Sequence, residues 1–469
     1  MAKLDIYLYL LATVLFILGI KGLCKVKSAR TGNMLAAVGM LVAIVAALWA
    51  GNVLSPTWIA IGLVVGGLIG GVLAARVPLT AMPELVAAFN GTGGAASVFV
   101  ALASLAGMIG LLASGQSLSD VHSMEKVVTL PITVLIGMAT VTGSAVAYFK
   151  LGGKKLNHPV PGAARQLVNL ALGAVVIGCS FWLCSSAADG QITTAIVLIC
   201  IASGILGIFL VLPIGGADMP VVVALLNSYS GLAASASGFV ISNSLLMVAG
   251  ALVGASGLIL TKIMCKAMNR SLANVLIGGI GDDAQAEDAR DYTNVKETSP
   301  EEVAMLFDAA SSVIMVPGYG LAVAQAQHTI RELGELIEKR GGNVRYAIHP
   351  VAGRTPGHMN VLLAEADVSY DKLYELERIN SDFKNTDVVV VVGANDVVNP
   401  AAREDPNSPI AGMPILDVDE AQTVIVIKRS LSPGYAGIKN PLFEKDNTLM
   451  VFMDAKKALE EMVTEVNDL

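Results

Sequence analysis

Charge is scarce in the first 270 residues of this chain, and titratable imidazole is scarcer. Of 31 Lys+Arg and 38 Asp+Glu, 14 and 6 fall before residue 271, a local net charge of +8; the remaining 17 and 32 give the rest a net charge of −15. The five histidines are His122, His158, His328, His349 and His358, and none falls within a long apolar run. A proton path through the apolar half therefore cannot use the side chain best suited to titrate near neutral pH. Cysteine is absent from the second half, which excludes a disulfide framework there. The five cysteines of the first half, Cys24, Cys179, Cys184, Cys200 and Cys265, form no C-x-x-C and no metal-ligand spacing, and read as small apolar core residues. No Ser/His/Asp or Cys/His pattern suggests a nucleophile. The acidic second half lacks the basic footprint that nucleic acid requires, so any phosphate must be held locally.

What is present divides near residue 270. With about 20 apolar residues needed to cross a bilayer, the first part holds nine spans, near 5–23, 34–50, 54–75, 83–113, 127–149, 165–185, 193–213, 221–240 and 243–266. Basic residues follow spans one, three, five and nine (Lys21, Lys25, Lys27 and Arg30; Arg76; Lys150, Lys154, Lys155 and Arg165; Lys266 and Arg270), while the alternate loops have almost none. The positive-inside rule then predicts an external N-terminus and a second half that is cytoplasmic, or in the matrix if the chain is organellar; a plasma (inner) membrane is the expected location. The first span has no A-x-A site after it and reads as an anchor rather than a signal peptide.

Polar groups in the spans are few and costly. Glu84 and Asn90 lie in the fourth span, Ser144 in the fifth, Asn227 to Ser230 in the eighth, and Asp218 in the turn before it. Any single serine there can simply bond a neighbouring helix. A buried amide such as Asn90 or Asn227 needs several partners, and water is a natural one. Small residues along spans eight and nine (Gly231, Ala234, Ser235 and Gly238; Gly250, Gly254 and Gly257) predict close helix approach.

A glycine-rich, acidic stretch at 271–297 reads as a flexible linker between a transmembrane domain, 1–270, and a soluble domain, 298–469. Ser299, Pro300 and Glu302 predict a helix start with a capping box. Strand-like runs follow at 312–316, 344–348, 388–392, 423–428 and 449–453, with a weaker one at 415–418, and a helix is predicted over 321–340. Alternating short strands and helices specify a Rossmann-like α/β domain with a parallel doubly wound sheet. Gly318, Tyr319 and Gly320 close the first strand and open its helix, the place where backbone N–H groups hold a pyrophosphate. Val323 stands where a third glycine is usual, which implies wider helix–strand packing. After the second strand, where an acid would take the ribose 2′-hydroxyl of NAD, the chain has His349 to Arg354. With Lys428, Arg429 and Ser430 at the end of a later strand, this favours the 2′-phosphate of NADP(H), the alternative being a solvated basic cluster. The loop Gly393, Ala394, Asn395, Asp396 leaves another strand where α/β sheets bind ligands; Asp396 reads as either a turn residue or a carboxylate beside a nicotinamide.

Taken in order, 215–220 with 227–231, 317–327, 349–365, 393–402, and 428–430 with 434–437 make the chain resemble the beta subunits of proton-translocating NAD(P) transhydrogenases. The resemblance implies a Re/Si-specific enzyme active only with an NAD(H)-binding alpha subunit, of one or two chains, and a dimer of the alpha–beta unit. NADP(H) would bind this chain and NAD(H) the partner, with hydride passing from NADH to NADP⁺ as protons move inward. It implies that Gly318, Tyr319, Gly320 and Val323 hold the nucleotide, that Arg354 assists its phosphates, and that Lys428, Arg429 and Ser430 contact the 2′-phosphate. The loop of Asp396 and a lid with Gly434 and Tyr435 would close over it, with Asp396 as the catalytic candidate. Asn90, Ser144 and Asn227 would match a proton route, and Asp218 the coupling point; some members carry histidine where this chain has Asn90. A nucleotide-gated channel or transporter is the rival reading, but neither a carbonyl selectivity filter nor an acid after strand two is present.

Overall fold

The computed structural model describes residues 4–23, 28–49, 56–113, 124–154, 156, 162–185, 189–215, 218–277, 292–355, 357–434 and 436–469. His122, His158, Tyr435 and residues 278–291 of the expected linker lie outside them. The chain divides into two compact units, Met1–Ile214 with Val222–Thr261, and Gly215–Val221 with Lys262–Leu469.

Among the described residues, nine helices are long and apolar enough to cross a membrane. They are α1 (Leu4–Leu23), α2 (Ala29–Trp49), α3 (Pro56–Arg76), α4 (Met82–Ala113), α5 (Met124–Leu151), α6 (Gly162–Ser185), α7 (Asp189–Val211), α8 (Met219–Val240) and α9 (Ser244–Ala267). Between such helices small residues let backbones touch, since lipid gives no hydrophobic drive to associate. Gly94 of α4 and Gly137 of α5 face each other closely: a Cβ on Gly94 would lie 2.8 Å from the Gly137 carbonyl oxygen, and one on Gly137 would lie 3.0 Å from that of Gly94. Along the α8–α9 seam, Gly231 and Gly250 approach backbone of the opposite helix in the same way, and a Cβ on Gly257 would lie 2.6 Å from Ser228 N. Ser228 donates its hydroxyl to the Gly254 carbonyl (2.7 Å) and Ser235 donates to that of Met247 (2.9 Å). The small residues predicted on these two spans therefore form their seam.

After α10 (Leu272–Ile277), the second unit continues with α11 (Pro300–Ala309), α12 (Tyr319–Val323), α13 (Gln327–Lys339), α14 (His358–Glu365), α15 (Leu376–Ile379), α16 (Ala401–Glu404) and α17 (Ala455–Asp468). Its strands are β1 (Ser312–Pro317), β2 (Asn343–Ile348), β3 (Leu373–Glu375), β4 (Val388–Val392), β5 (Thr423–Ile427) and β6 (Thr448–Val451), all parallel in the order 3-2-1-4-5-6. This is the doubly wound Rossmann-like fold expected. The five valines of β4 are all buried, as a strand covered on both faces requires. Chain order reverses between β1 and β4, so the crevice for a ligand opens at their C-terminal ends.

Three local expectations are corrected, and one strand is added. The helix predicted over 321–340 is two helices, because Gln325 adopts φ +52 and Ala326 N–H returns to the Leu321 carbonyl, ending α12 after one turn. Residues 415–418 form no strand: Ile415, Leu416 and Val418 belong to an irregular segment and are buried in the core. A three-residue strand, β3, occupies the sheet edge instead. Ser299 accepts from Glu302 N–H as predicted (3.2 Å), but the Glu302 carboxylate takes the Thr298 hydroxyl (2.6 Å), so the capping box is half formed.

Candidate functional site

Where β1 and β4 end, their two turns are held in backbone contact. Gly318 N–H donates to the Val392 carbonyl (2.8 Å) and Gly320 N–H to that of Gly393 (2.9 Å). A Cβ on Gly318 would lie 2.5 Å from Ala394 N, and one on Gly320 would lie 2.6 Å from Gly393 Cα. Gly393 itself sits at φ +64, a conformation that favours glycine. These constraints shape a cavity of about 460 Å³ lined by Gly318, Tyr319, Gly320, Val323, Arg354, Gly393, Ala394, Asn395, Asp396, Lys428, Arg429, Ser430 and Gly434. All thirteen described residues proposed from the sequence for the nucleotide site thus meet at one cavity; Tyr435 lies outside the described residues. Val323, in place of the third glycine, is 49% exposed and lines the cavity. Helix α12 has only five residues, and the N–H groups of Gly318 and Gly320 at its start are taken by the Val392 and Gly393 carbonyls.

One wall is built around two buried histidines. The ring Nε2 of His349 donates to the Pro414 carbonyl (2.7 Å), while its Nδ1 accepts from Val351 N–H (3.2 Å). Burial lowers its pKa to about 4, so the ring is neutral at pH 7 and this single tautomer serves both bonds. His358 accepts Arg354 N–H at Nδ1 (3.2 Å), beneath Gly353 at φ +101. Burial, then the neighbouring Arg354, lowers its pKa and keeps that lone pair available. The Arg354 guanidinium lies over the Tyr319 ring, 4.7 Å from its centroid, a cation–π contact joining this loop to the glycine turn.

The opposite wall carries the cations. Arg429 and Ser430 are exposed, whereas Lys428 turns inward over the Phe443 ring at 5.3 Å and donates to the Ser432 carbonyl. Burial brings its pKa down to about 8, with Asp396 opposing the fall. Asp396 opens a short turn, Asp396–Val398, and accepts Ala436 N–H on Oδ2 (3.1 Å). A Cβ on Gly434 would lie 2.5 Å from either of its oxygens. With its amide turned to give its oxygen donors, Asn395 accepts from Lys428 Nζ (3.2 Å) and Gly434 N–H (2.8 Å). Asn395 and Asp396 together therefore fasten the loop after β5.

In the membrane helices, Asn90 is buried in α4 and donates to the Val223 carbonyl of α8 (3.3 Å), one turn before Asn227. Ser144 of α5 is 1% exposed and its hydroxyl has no hydrogen-bond partner among the described residues. A Cβ on Gly91, adjacent to Asn90, would lie 3.1 Å from the Ser144 Cβ. Asn90 thus faces α8 and its neighbour Gly91 faces Ser144 of α5, and Asn227 is half-buried a turn along α8. Asp218 is buried and pairs with Arg270 (3.2 Å).

Several contributors were missed. Arg270 served in the sequence only to orient the helices. His358, Asn440, Ser432 and the start of α17 were not singled out. Helix α17 does carry a sequence signal: Asp454 caps Lys456 N–H (3.0 Å), and Ala455, Ala458, Leu459, Met462 and Val466 recur at helical spacing and are buried. His358 opens α14, where a single residue sets no pattern, and Arg270, Ser432 and Asn440 sit in irregular segments with no periodicity to expose them.

A family model described as NAD(P) transhydrogenase beta subunit matches residues 6–465. Two relatives from Rhodospirillum rubrum, one from a named strain, are each called NAD(P) transhydrogenase subunit beta. Each is 48% identical over 462 residues, covering 98% of this chain and 98% of the relative. Agreement over nearly the whole of both chains includes the membrane helices and the nucleotide-type domain alike, and this chain belongs to the NAD(P) transhydrogenase beta-subunit family.

Proposed function

We propose that the cavity at the ends of β1 and β4 binds NADP(H), and that the chain passes hydride between it and NAD(H) on an alpha subunit while protons cross through its helices. The carrying observation is the pairing of the glycine turn with a cationic wall: Gly318, Gly320 and Gly393 let the two turns meet backbone to backbone at the floor of the cavity, and Arg354, Lys428 and Arg429 line the same cavity. A pyrophosphate suits the first and a 2′-phosphate the second. The chain ends β2 at Ile348 and continues with His349, Pro350 and Val351, with no acid placed for a ribose 2′-hydroxyl. Bound NADP⁺ supplies the hydride acceptor. This chain's residues supply position: the glycine turn holds the phosphates, Arg354 and Lys428 to Ser430 fix the two ends, and Asn395 and Asp396 keep the covering loop in place. Hydride transfer needs reacting atoms about 3–3.5 Å apart, so such positioning is the protein's main contribution.

The test is equilibrium binding of NADP⁺ and NAD⁺ to the detergent-solubilised chain. NADP⁺ is expected to bind at least about tenfold more tightly, equivalent to about 1.4 kcal/mol from the 2′-phosphate. Equal or preferential NAD⁺ binding overturns the reading.

For the proton route, the support is the burial of Asn90, bonded to α8, and of Ser144, since buried polar groups serve water better than lipid. Asp218, paired with Arg270, is the proposed coupling point, and the charge pattern supports an external N-terminus with a cytoplasmic nucleotide domain. In proteoliposomes with the alpha subunit, Asn227→Leu is expected to reduce proton uptake per hydride transferred at least fivefold. An unchanged ratio removes Asn227 from the route.

A further inference from the structure

Residues 292–298 form a strap along the sheet edge beside β6. Thr298 N–H donates to the Met450 carbonyl (2.9 Å), Met450 N–H to that of Lys296 (2.8 Å), and Glu297 bridges Met450 in parallel. Lys296 adds an ion pair to Asp446 (3.0 Å). These contacts resemble an extra strand and need no functional explanation. Tyr292, at the strap's beginning, is different. Its ring stacks on Phe443 with centroids 5.9 Å apart and lies under the Lys439 ammonium at 4.9 Å. Its hydroxyl oxygen accepts the backbone N–H of Asn440 (2.9 Å).

Asn440 is fully buried and leads directly to the cavity wall. Its side-chain amide donates to the Asn395 backbone carbonyl (3.2 Å), and its Oδ1 accepts Leu442 N–H (3.0 Å). The Asn395 side chain takes Gly434 N–H and Lys428 Nζ, while adjacent Asp396 takes Ala436 N–H. Next to this path, Asn399 donates to the Lys439 carbonyl (3.2 Å), and Glu444 pairs with Lys439 (2.6 Å) and accepts Thr293 N–H (2.7 Å). A continuous set of short bonds thus runs from the Tyr292 hydroxyl through Asn440 and Asn395 to the loop that borders the cavity. A buried amide held at both ends has one orientation that satisfies its partners. Releasing one end therefore loosens the other.

We propose that Tyr292 is a positioning residue for the cofactor: its hydroxyl fixes Asn440, Asn440 fixes Asn395, and Asn395 with Asp396 holds the loop of Gly434 and Ala436 over the cavity. Tyr292 also follows directly on 278–291, the stretch joining this domain in sequence to the membrane helices. Retention of the cofactor is then set partly by the segment through which the chain enters the domain. The inference rests on the NADP(H) reading above and adds a residue that touches neither cofactor nor cavity.

The experiment uses Tyr292→Phe in the full chain assembled with its alpha subunit. Phenylalanine keeps the stack on Phe443 and the contact with Lys439, and removes only the hydroxyl acceptor. The expected result is release of NADP⁺ five- to tenfold faster, with KM for NADP⁺ raised by a similar factor and KM for NADH unchanged. Lys296→Ala, which removes the strap's ion pair with Asp446 and leaves the Tyr292–Asn440 bond in place, is the control and is expected to release NADP⁺ at the wild-type rate. An unchanged release rate in Tyr292→Phe overturns the proposal. Equal acceleration in both variants also overturns it, since the strap would then act only through general stability. Failure of the wild-type assembly to retain NADP⁺ counts instead against the cofactor reading.

Discussion

Replacing Gly320 with alanine is expected to abolish measurable NADP⁺ binding and lower transhydrogenation at least 100-fold, although alanine is the smallest side chain available. The new methyl would lie 2.6 Å from Gly393 Cα and 3.2 Å from the Gly393 carbonyl oxygen. Both neighbours are backbone, so no side chain can rotate away. The two turns must separate, and the bonds Gly320 N–H to Gly393 and Gly318 N–H to Val392 hold them where they are. Overpacking of this kind costs about 1–3 kcal/mol, and the turn that moves is the one proposed to carry the pyrophosphate. A displacement of about 1 Å at a positioning site is enough to cost about two orders of magnitude in rate. Gly393→Ala adds a second penalty, since φ +64 suits glycine and costs other residues about 1–2 kcal/mol. Gly357→Ala is the control: it has a similar φ of +72 but open space around it, and should show the backbone penalty without loss of the cavity. Binding of NADP⁺ to Gly320→Ala at wild-type affinity would show that the turn is not the pyrophosphate site.

The same contacts explain which features could be read from the sequence. The nine membrane helices were legible because a bilayer demands length and low charge, and both are written plainly in the chain. Strand β4 was legible because five consecutive valines suit only a strand buried on both faces. Strand β3 was not, since Leu373, Tyr374 and Glu375 are too few to set a period. The apolar run at 415–418 misled for the converse reason: a loop packed beneath the core is as apolar as a strand. The break after α12 had no glycine or proline to announce it, because Gln325 takes the left-handed conformation itself.

At the nucleotide site, residue types were more legible than directions. Lys428, Arg429 and Ser430 suggested one convergent anion site, yet Lys428 faces Ser432, Asn395 and the Phe443 ring while Arg429 is exposed. Asp396 suggested either a turn residue or a carboxylate for the nicotinamide; its position combines the turn with a grip on Ala436 N–H. Neither orientation follows from spacing, since each depends on a loop that returns from about 40 residues away, as the hydrogen bonds from 396 to 436 and from 395 to 434 require.

Lys428 gives the site a pH dependence whose sign is fixed by its surroundings. Burial favours the neutral amine and lowers the pKa to about 8, while Asp396 opposes that fall. Near pH 7 the group is mostly an ammonium, available to the 2′-phosphate on the proposed reading. Above about pH 8 the free site loses this charge, so NADP⁺ affinity is expected to weaken by up to about tenfold per pH unit, while NAD⁺ affinity stays level. Fold stability should move the opposite way, because the unfolded lysine, with its ordinary pKa of 10.5, binds more protons between about pH 8 and 10.5 than the folded one. Over that window the domain without cofactor should grow more stable even as its preference for NADP⁺ declines. Asp396→Asn removes the opposing charge and should move the loss of affinity to lower pH. Lys428→Arg keeps the cation throughout and should flatten the profile, though its planar fork will not reproduce every bond to Ser432 and Asn395. Binding titrations of both nucleotides between pH 6.5 and 9.5 separate these outcomes. A wild-type NADP⁺ affinity that is flat across the range would remove Lys428 from the 2′-phosphate site and leave it as a fastener of the loop alone.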